Sequence, residues 1–312
     1  SQEQNNDNSY GAVTVAIMTL EAFSGMWINA FIVSVLCISW VKKKTLNSNE
    51  KILLLLGCSR FCYLCISWVY FFLSIIYPKY IYVRPILQLV VSIQSFLSYS
   101  NMWFSACLCV FYCVKIANFR NGFFIYLKVK IDKIVPLMLL VSVLFSLVIS
   151  ILVYDISNKP HCNNRNSTVQ GSFWKASIKM DKHIFPSFFV IGCGYAVSFT
   201  TVIFSALLLL FSLWRHKRNM QINSMKDLSV DAHIKAMKSI LSFLVMYSFN
   251  FIFLILKMIY ATKKESPVIF LIEVFHYAFP GVHSLILIFS NPKLEKKLLR
   301  IVSCVKHNVC MK

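Results

Sequence analysis

The sequence predicts an all-α membrane protein, a bundle of seven transmembrane helices with its N-terminus outside the cell and its C-terminus in the cytosol. Three observations carry this prediction: an apolar composition, seven long apolar runs, and cationic residues gathered in alternate loops. Of the 312 residues, 58% are hydrophobic and 14% are charged, whereas about a quarter of a soluble domain is charged. A soluble globule could not cover so much apolar surface, so lipid is the expected solvent.

Seven apolar runs supply the helices. Each is long enough to provide the roughly 20 residues that cross about 30 Å of hydrocarbon at about 1.5 Å per residue. Helices are required because lipid offers no hydrogen-bond partner to the backbone, and the runs lack the short alternating segments of a β-barrel. The runs lie at 12–41, 52–77, 85–114, 133–153, 184–214, 239–260 and 268–290.

The loops between these runs predict the orientation. Loops on one side hold 21 of the 32 Lys and Arg residues, and loops on the other side hold 9. The cation-rich side is expected to be cytosolic. The predicted organisation is an extracellular tail at 1–11, one transmembrane domain at 12–290 and a short cytoplasmic tail at 291–312.

The net charge of +20 does not predict a nucleic-acid partner, because the cations fall in short clusters between apolar runs and not on one folded face. The sequon Asn166-Ser167-Thr168 lies in the loop that the charge count places outside. We therefore predict Asn166 as a glycosylation site.

Polar side chains inside a membrane are costly, so each needs a reason. Arg60 lies about 13 Å from the inner end of its helix, Asn29 about 18 Å, and the His283-Ser284 pair about 10 Å. Glu21 lies about 30 Å from the inner end of its own helix, which is too far for it to be the expected partner of Arg60. We predict a polar network of Asn29, Arg60, His283 and Ser284, which could serve packing alone or a conformational switch.

A second polar set lies near the outer ends of the helices. Glu273 and Lys257 are each about 6–8 Å from the outer end of their helix, and Gln94 is about 14 Å from the outer end of helix 3. An ion pair lining a cavity is one interpretation of Glu273 and Lys257. The alternative for Lys257 is that its side chain reaches the lipid headgroups.

The sequence predicts neither an enzyme nor a metal or cofactor site. It lacks the His-Glu-x-x-His, Gly-x-Ser-x-Gly and phosphate-loop motifs. Cys58, Cys62 and Cys65 share a helix face by their spacing. We interpret them as small thiols packed between membrane helices.

Several motifs resemble those of one receptor family. Arg60 follows Ser59 in helix 2, and helix 3 ends in a Lys-Ile-Ala-Asn-Phe segment at 115–119. Helix 7 carries Pro280-x-x-His-Ser-Leu-Ile-Leu, followed by Asn291-Pro292. In order and spacing, the chain resembles the type 2 taste receptors, the bitter taste receptor family of G-protein-coupled receptors.

This resemblance implies a plasma-membrane receptor for small bitter compounds that bind in an outer pocket between helices 3, 5, 6 and 7. An apolar, aromatic cleft with few polar groups suits such ligands. The residues implied to contact ligand are Gln94, Ser98, Tyr195, Asn250, Phe251, Leu254, Glu273 and Tyr277.

The resemblance also implies coupling to gustducin or a related inhibitory-class G protein, followed by phospholipase C activity and calcium release. The residues implied to face the G protein are Lys115, Ile116, Ala117, Arg120, His216, Lys217, Lys235 and Lys238. Two alternatives stay open from sequence: a type 1 vomeronasal receptor, and a transporter or channel. A transporter would be expected to show inverted repeats or broken helices near the midplane.

Overall fold

The computed structural model describes residues 2–77, 80, 83–117, 121–158, 185–222, 229–260 and 267–310. These residues form eight helices, and no β-strand occurs among them. The helices are α1 (Gln2–Lys43), α2 (Ser48–Ile76), α3 (Arg84–Ile116), α4 (Gly122–Asn158), α5 (Phe185–Ile222), α6 (Ser229–Tyr260), α7 (Pro267–Ser290) and α8 (Pro292–Cys310).

Within this described part, six helices are long and apolar enough to cross a membrane: α1 to α5 and α7. Helix α6 contains a shorter apolar stretch, Leu244–Leu256. Large apolar side chains face outward, as Trp27 (76% exposed) and Val41 (77% exposed) illustrate on α1. Such side chains fit a protein surrounded by lipid, because a soluble surface seldom carries so many of them.

Helix α3 lies at the centre of the packing, against α2, α4 and α5. The remaining contacts close a ring, because α1 packs on α2 and α7, and α6 packs on α5 and α7. Helix α4 lies mainly against α3, outside this ring. The ring arrangement brings the inner faces of α2, α3, α5, α6 and α7 toward one interior.

Local sequence explains where the helices begin and end. Helix α1 ends in the cationic pair Lys42 and Lys43, and Lys44 takes a left-handed conformation (φ 57°) that ends the helix. Helix α8 begins at Pro292, whose fixed φ suits a first helical position. The Asn291 side chain caps that helix, since its Oδ1 accepts a hydrogen bond of 3.0 Å from the backbone N–H of Lys293.

Helix α8 is fastened to the bundle by polar and apolar contacts. Lys293 forms an ion pair with Glu50 of α2 and donates a hydrogen bond of 2.6 Å to Ser39 of α1. Glu50 also accepts a hydrogen bond of 3.1 Å from the backbone N–H of Asn47, which precedes α2. Leu294 is completely buried. One acidic side chain thus joins α8 to the start of α2.

Helices α1 and α7 approach each other at two glycines. A Cβ placed on Gly281 would lie 3.1 Å from the Cα of Gly25, and one placed on Gly25 would lie 2.7 Å from Leu64 Cδ1. Small residues permit such close approach of membrane helices. Larger side chains at Gly25 and Gly281 would force the two backbones apart.

The structure contains helices in both segments that the sequence predicts as tails. Each of the seven apolar runs falls within one helix, apart from residue 77 at the end of one run and residue 184, which lies outside the described residues. The segment predicted as an extracellular tail, 1–11, is helical from Gln2. The segment predicted as a cytoplasmic tail, 291–312, contains helix α8, which the apolar runs did not indicate.

Candidate polar network and cavity

Arg60 of α2 is the centre of a buried polar network, and it is 2% exposed. Its Nη1 donates a hydrogen bond of 2.8 Å to Ser284 Oγ of α7. Its Nη2 donates to Ser105 Oγ of α3 at 3.3 Å and to His283 Nδ1 of α7. These three hydrogen bonds join α2 to α3 and to α7.

The network continues into α1. The Ser284 hydroxyl donates a hydrogen bond of 2.8 Å to Asn29 Oδ1. The Asn29 amide in turn donates to the backbone carbonyl of Gly25 at 2.8 Å. Asn29 and Ser284 are fully buried, so each hydrogen bond matters more than it would in water.

The structure therefore brings together all four residues of the predicted network. These contacts agree with the depths that the sequence assigns to Arg60, Asn29, His283 and Ser284. Sequence reasoning missed Ser105, which adds α3 to the network. Its only signal is a hydroxyl in an apolar run, and many serines share that signal. Whether the network acts as a switch stays a prediction.

A small cavity lies beside the network, inside the bundle. Its volume is about 30 Å³, measured as the space open to the centre of a water-sized sphere. Since one water needs roughly 10–15 Å³ by this measure, the cavity holds about two waters. The lining residues are Arg60, Tyr63, Ser98, Asn101, Met102, Tyr195, Tyr247, Asn250, Leu254, His276, Phe279 and Pro280.

Four of the eight residues implied to contact ligand line this cavity: Ser98, Tyr195, Asn250 and Leu254. The hydroxyls of Ser98 and Tyr195 are hydrogen-bonded to each other across α3 and α5. The Asn250 amide donates to Met102 Sδ at 3.5 Å. The cavity wall therefore combines hydroxyl and amide groups with apolar surface.

The other four residues lie outside the cavity lining. Gln94 donates a hydrogen bond of 3.3 Å to Ser67 Oγ of α2, and Tyr277 donates one of 3.2 Å to the Ser67 carbonyl. Both side chains are thus hydrogen-bonded to Ser67 of α2. Phe251 instead stacks on Phe199, with ring centroids 4.1 Å apart.

Glu273 lies near the cavity without lining it. Its carboxyl group lies close enough to Tyr63 and Tyr277 for its charge to act on their hydroxyls. Tyr63 is hydrogen-bonded to His276, and both line the cavity. A charge at Glu273 can therefore act on the cavity through Tyr63. The proposed Lys257 partner lies outside the described side chains.

Sequence reasoning missed most of the aromatic wall of the cavity. Tyr247 is 1% exposed and its hydroxyl donates a hydrogen bond of 3.2 Å to the Met102 carbonyl. Its ring lies 5.9 Å from that of Phe279, edge to face. Aromatic residues are common throughout α1 to α7, so sequence alone gave no signal that distinguished Tyr247 or Phe279.

The residues implied to face a G protein are only partly described. Lys115 pairs with Asp132 at 2.6 Å, and both side chains are exposed. Ile116 is exposed, whereas Ala117 is buried with Leu209 and Leu213 and so does not present its side chain to solvent. The remaining residues, Arg120, His216, Lys217, Lys235 and Lys238, lie outside the described side chains, as does the sequon residue Asn166.

These features define a class: a multi-pass helical membrane protein with a polar network and a small cavity between its helices. Comparison with known proteins identifies the family. A model of the family described as "Taste receptor protein (TAS2R)" matches residues 8–306. The chain belongs to this family of type 2, or bitter, taste receptors, which are G-protein-coupled receptors and not enzymes.

Individual relatives agree with this assignment. Taste receptor type 2 member 9 of Papio hamadryas is 31% identical over 307 residues, which are 95% of this chain and 94% of the relative. The human receptor of the same name is 31% identical over 304 residues, with 94% and 95% covered. Taste receptor type 2 member 109 of Mus musculus is 33% identical over 307 residues, with 94% and 93% covered.

Proposed function

We propose that this receptor detects small bitter compounds in the cavity beside Arg60 and passes the signal to a heterotrimeric G protein. The observation that carries the proposal is the cavity, which places hydroxyl and amide groups of Ser98, Tyr195 and Asn250 within an apolar and aromatic wall. Such a mixture can orient a ligand while tolerating varied shapes.

The proposal extends to topology and partners. The chain crosses the plasma membrane seven times, with α6 as the sixth crossing, its N-terminus outside and its C-terminus in the cytosol. The excess of Lys and Arg in alternate loops supports this orientation. Asn166 is glycosylated in the extracellular loop 154–183, and the partner is gustducin or a related inhibitory-class G protein.

Activation follows from differential affinity. A ligand that binds one conformation of the cavity more tightly shifts the receptor population toward that conformation. The residues that line the cavity belong to α2, α3, α5, α6 and α7, so a change in the cavity alters how these helices pack. The cytosolic ends of α3, α5 and α6 then engage the G protein, and phospholipase C and calcium release follow.

We expect cultured cells that express the receptor with a gustducin-type α subunit to release calcium when given some members of a bitter-compound library. Surface labelling of the same cells establishes that the receptor reaches the plasma membrane. Cells that lack the receptor are the first control. Silence across a broad library, despite surface labelling, would contradict the proposal.

A cavity variant ties any response to this site. Asn250→Leu keeps the side-chain size but removes the amide at the cavity wall. We expect it to lower the potency of at least some agonists by about tenfold, since loss of a ligand hydrogen bond in a desolvated site is worth roughly 1.4 kcal/mol. Unchanged potency for every agonist would place the ligand elsewhere.

Replacing Glu273 by glutamine should weaken cationic agonists selectively. The substitution removes the charge that acts on Tyr63 and Tyr277 but keeps the size of the side chain. We expect about tenfold lower potency for amine-bearing agonists, a smaller change for neutral ones, and an unchanged surface level. Glu295→Gln on α8 is the matched control. If only the surface level falls, Glu273 has a packing role instead.

A further inference from the structure

Arg60 is a buried cation whose described hydrogen-bond partners are all uncharged. Ser284 and Ser105 are hydroxyls, and His283 accepts through Nδ1, which an imidazole can do only in its neutral form. A guanidinium does not lose its proton in proteins. The charge of Arg60 therefore persists in an environment where a single unbalanced charge is costly.

Carboxylates do not balance this charge from the cavity side. None of the described residues that line the cavity is Asp or Glu. The acidic residue nearest along α7, Glu273, is ten positions from His283, or about 15 Å at the helical rise. Glu21 of α1 lies about 12 Å along the helix from Asn29 by the same measure. Both are too far away to pair with the guanidinium.

The cavity wall is rich in groups that donate hydrogen bonds. The Asn101 carbonyl oxygen accepts a hydrogen bond from Ser59, which directs the donor end of that amide away from Ser59. Asn250 contributes a second amide, which has one N–H beyond the one that it donates to Met102. Beside the positive charge of Arg60, such donors suit an anion.

We propose that the cavity binds a small monovalent anion beside Arg60, and that chloride is this anion in physiological salt. A cavity volume of about 30 Å³ suits a single atomic ion together with a water. The bound anion neutralises Arg60 and accepts hydrogen bonds from the amides of Asn101 and Asn250. The proposal concerns the part of the cavity beside Arg60 and does not depend on any agonist response.

The test is thermal unfolding of the purified full chain in detergent, without agonist. Samples in sodium chloride and in sodium gluconate are compared at the same ionic strength of about 0.15 M, because gluconate is too large for the cavity. We expect an unfolding midpoint about 3 °C higher in chloride than in gluconate, and we expect this shift to saturate as the chloride concentration rises. Bromide should produce a similar shift in place of chloride.

Two variants assign the effect to the site. Arg60→Gln should remove the difference between chloride and gluconate, whereas Arg300→Gln, an exposed arginine on α8, should retain it in full. A general salt effect on protein solvation would persist in Arg60→Gln. If Arg60→Gln does not fold, Asn250→Leu, which leaves the network intact, should reduce the shift at least twofold.

Two results would overturn the anion proposal. Equal midpoints in chloride and gluconate for the unaltered protein overturn the proposal and leave the cavity to water. A chloride shift that persists at full size in Arg60→Gln, or in Asn250→Leu where Arg60→Gln does not fold, overturns it as well. Neither result bears on agonist-driven calcium release, so failure here is distinct from failure of the proposed function.

Discussion

Arg60→Ala should destabilise the receptor by about 3 kcal/mol. Three hydrogen bonds from a charged donor are lost, and relaxation of the surrounding side chains recovers part of their free energy. The change deprives Ser105, His283 and Ser284 of a donor in a buried site. It also leaves a void where a large, fully buried side chain stood. Thermal unfolding of the purified protein and the fraction of receptor at the cell surface both measure the loss.

The matched control is Arg300→Ala, which removes an exposed arginine of α8. Exposed charges contribute little to stability, so its free energy of unfolding should stay within about 0.5 kcal/mol of the unaltered protein. Equal effects of the two variants would mean that the network of Arg60 does not hold α1, α2, α3 and α7 together.

Gly281→Leu should have a similarly large effect for a different reason. A Cβ at this position lies 3.1 Å from the backbone of Gly25, and backbone cannot rotate away as a flexible side chain can. The rest of the leucine side chain then forces α1 from α7, and overpacking of this kind costs roughly 1–3 kcal/mol or more. Separation of α1 from α7 also strains the hydrogen bond between Ser284 and Asn29.

Gly122→Leu is the control, because among the described residues no atom of another element lies within 4 Å of a Cβ built on Gly122. We expect Gly281→Leu to lose most of its surface expression and its unfolding midpoint to fall, while Gly122→Leu keeps both. A Gly281→Leu protein as stable as the Gly122→Leu protein would show that α1 and α7 have room to separate without loss.

The membrane-spanning helices could be predicted from sequence because their signal is local. A run of apolar residues identifies a helix in lipid without knowledge of its neighbours. Helix α8 escaped this reasoning because its residues alternate between cationic and apolar, as in the stretch around Leu294 and Lys296–Lys297. Its start signal, Asn291 followed by Pro292, was present but was interpreted only as a family motif.

The candidate site was predictable in its inner part and not in its outer part. Arg60, Asn29, His283 and Ser284 are too costly in lipid to lie apart, and depth along each helix restricts which of them can meet. The cavity depends instead on how aromatic side chains from different helices pack. The hydrogen bond of Tyr63 to His276 and the contact of Tyr247 with Phe279 have no signal in sequence spacing.

The limited space beside Arg60 has a consequence for how tightly agonists bind. The cavity has room for about two waters, which is less than a drug-sized agonist needs, so this conformation is not the one that holds such an agonist. If a wider conformation makes up a fraction f of the free receptor, the measured dissociation constant equals the intrinsic constant divided by f. The dissociation constants of chemically unrelated agonists are then raised by the same factor. A substitution that favours the wider conformation would lower all of these dissociation constants by one common factor.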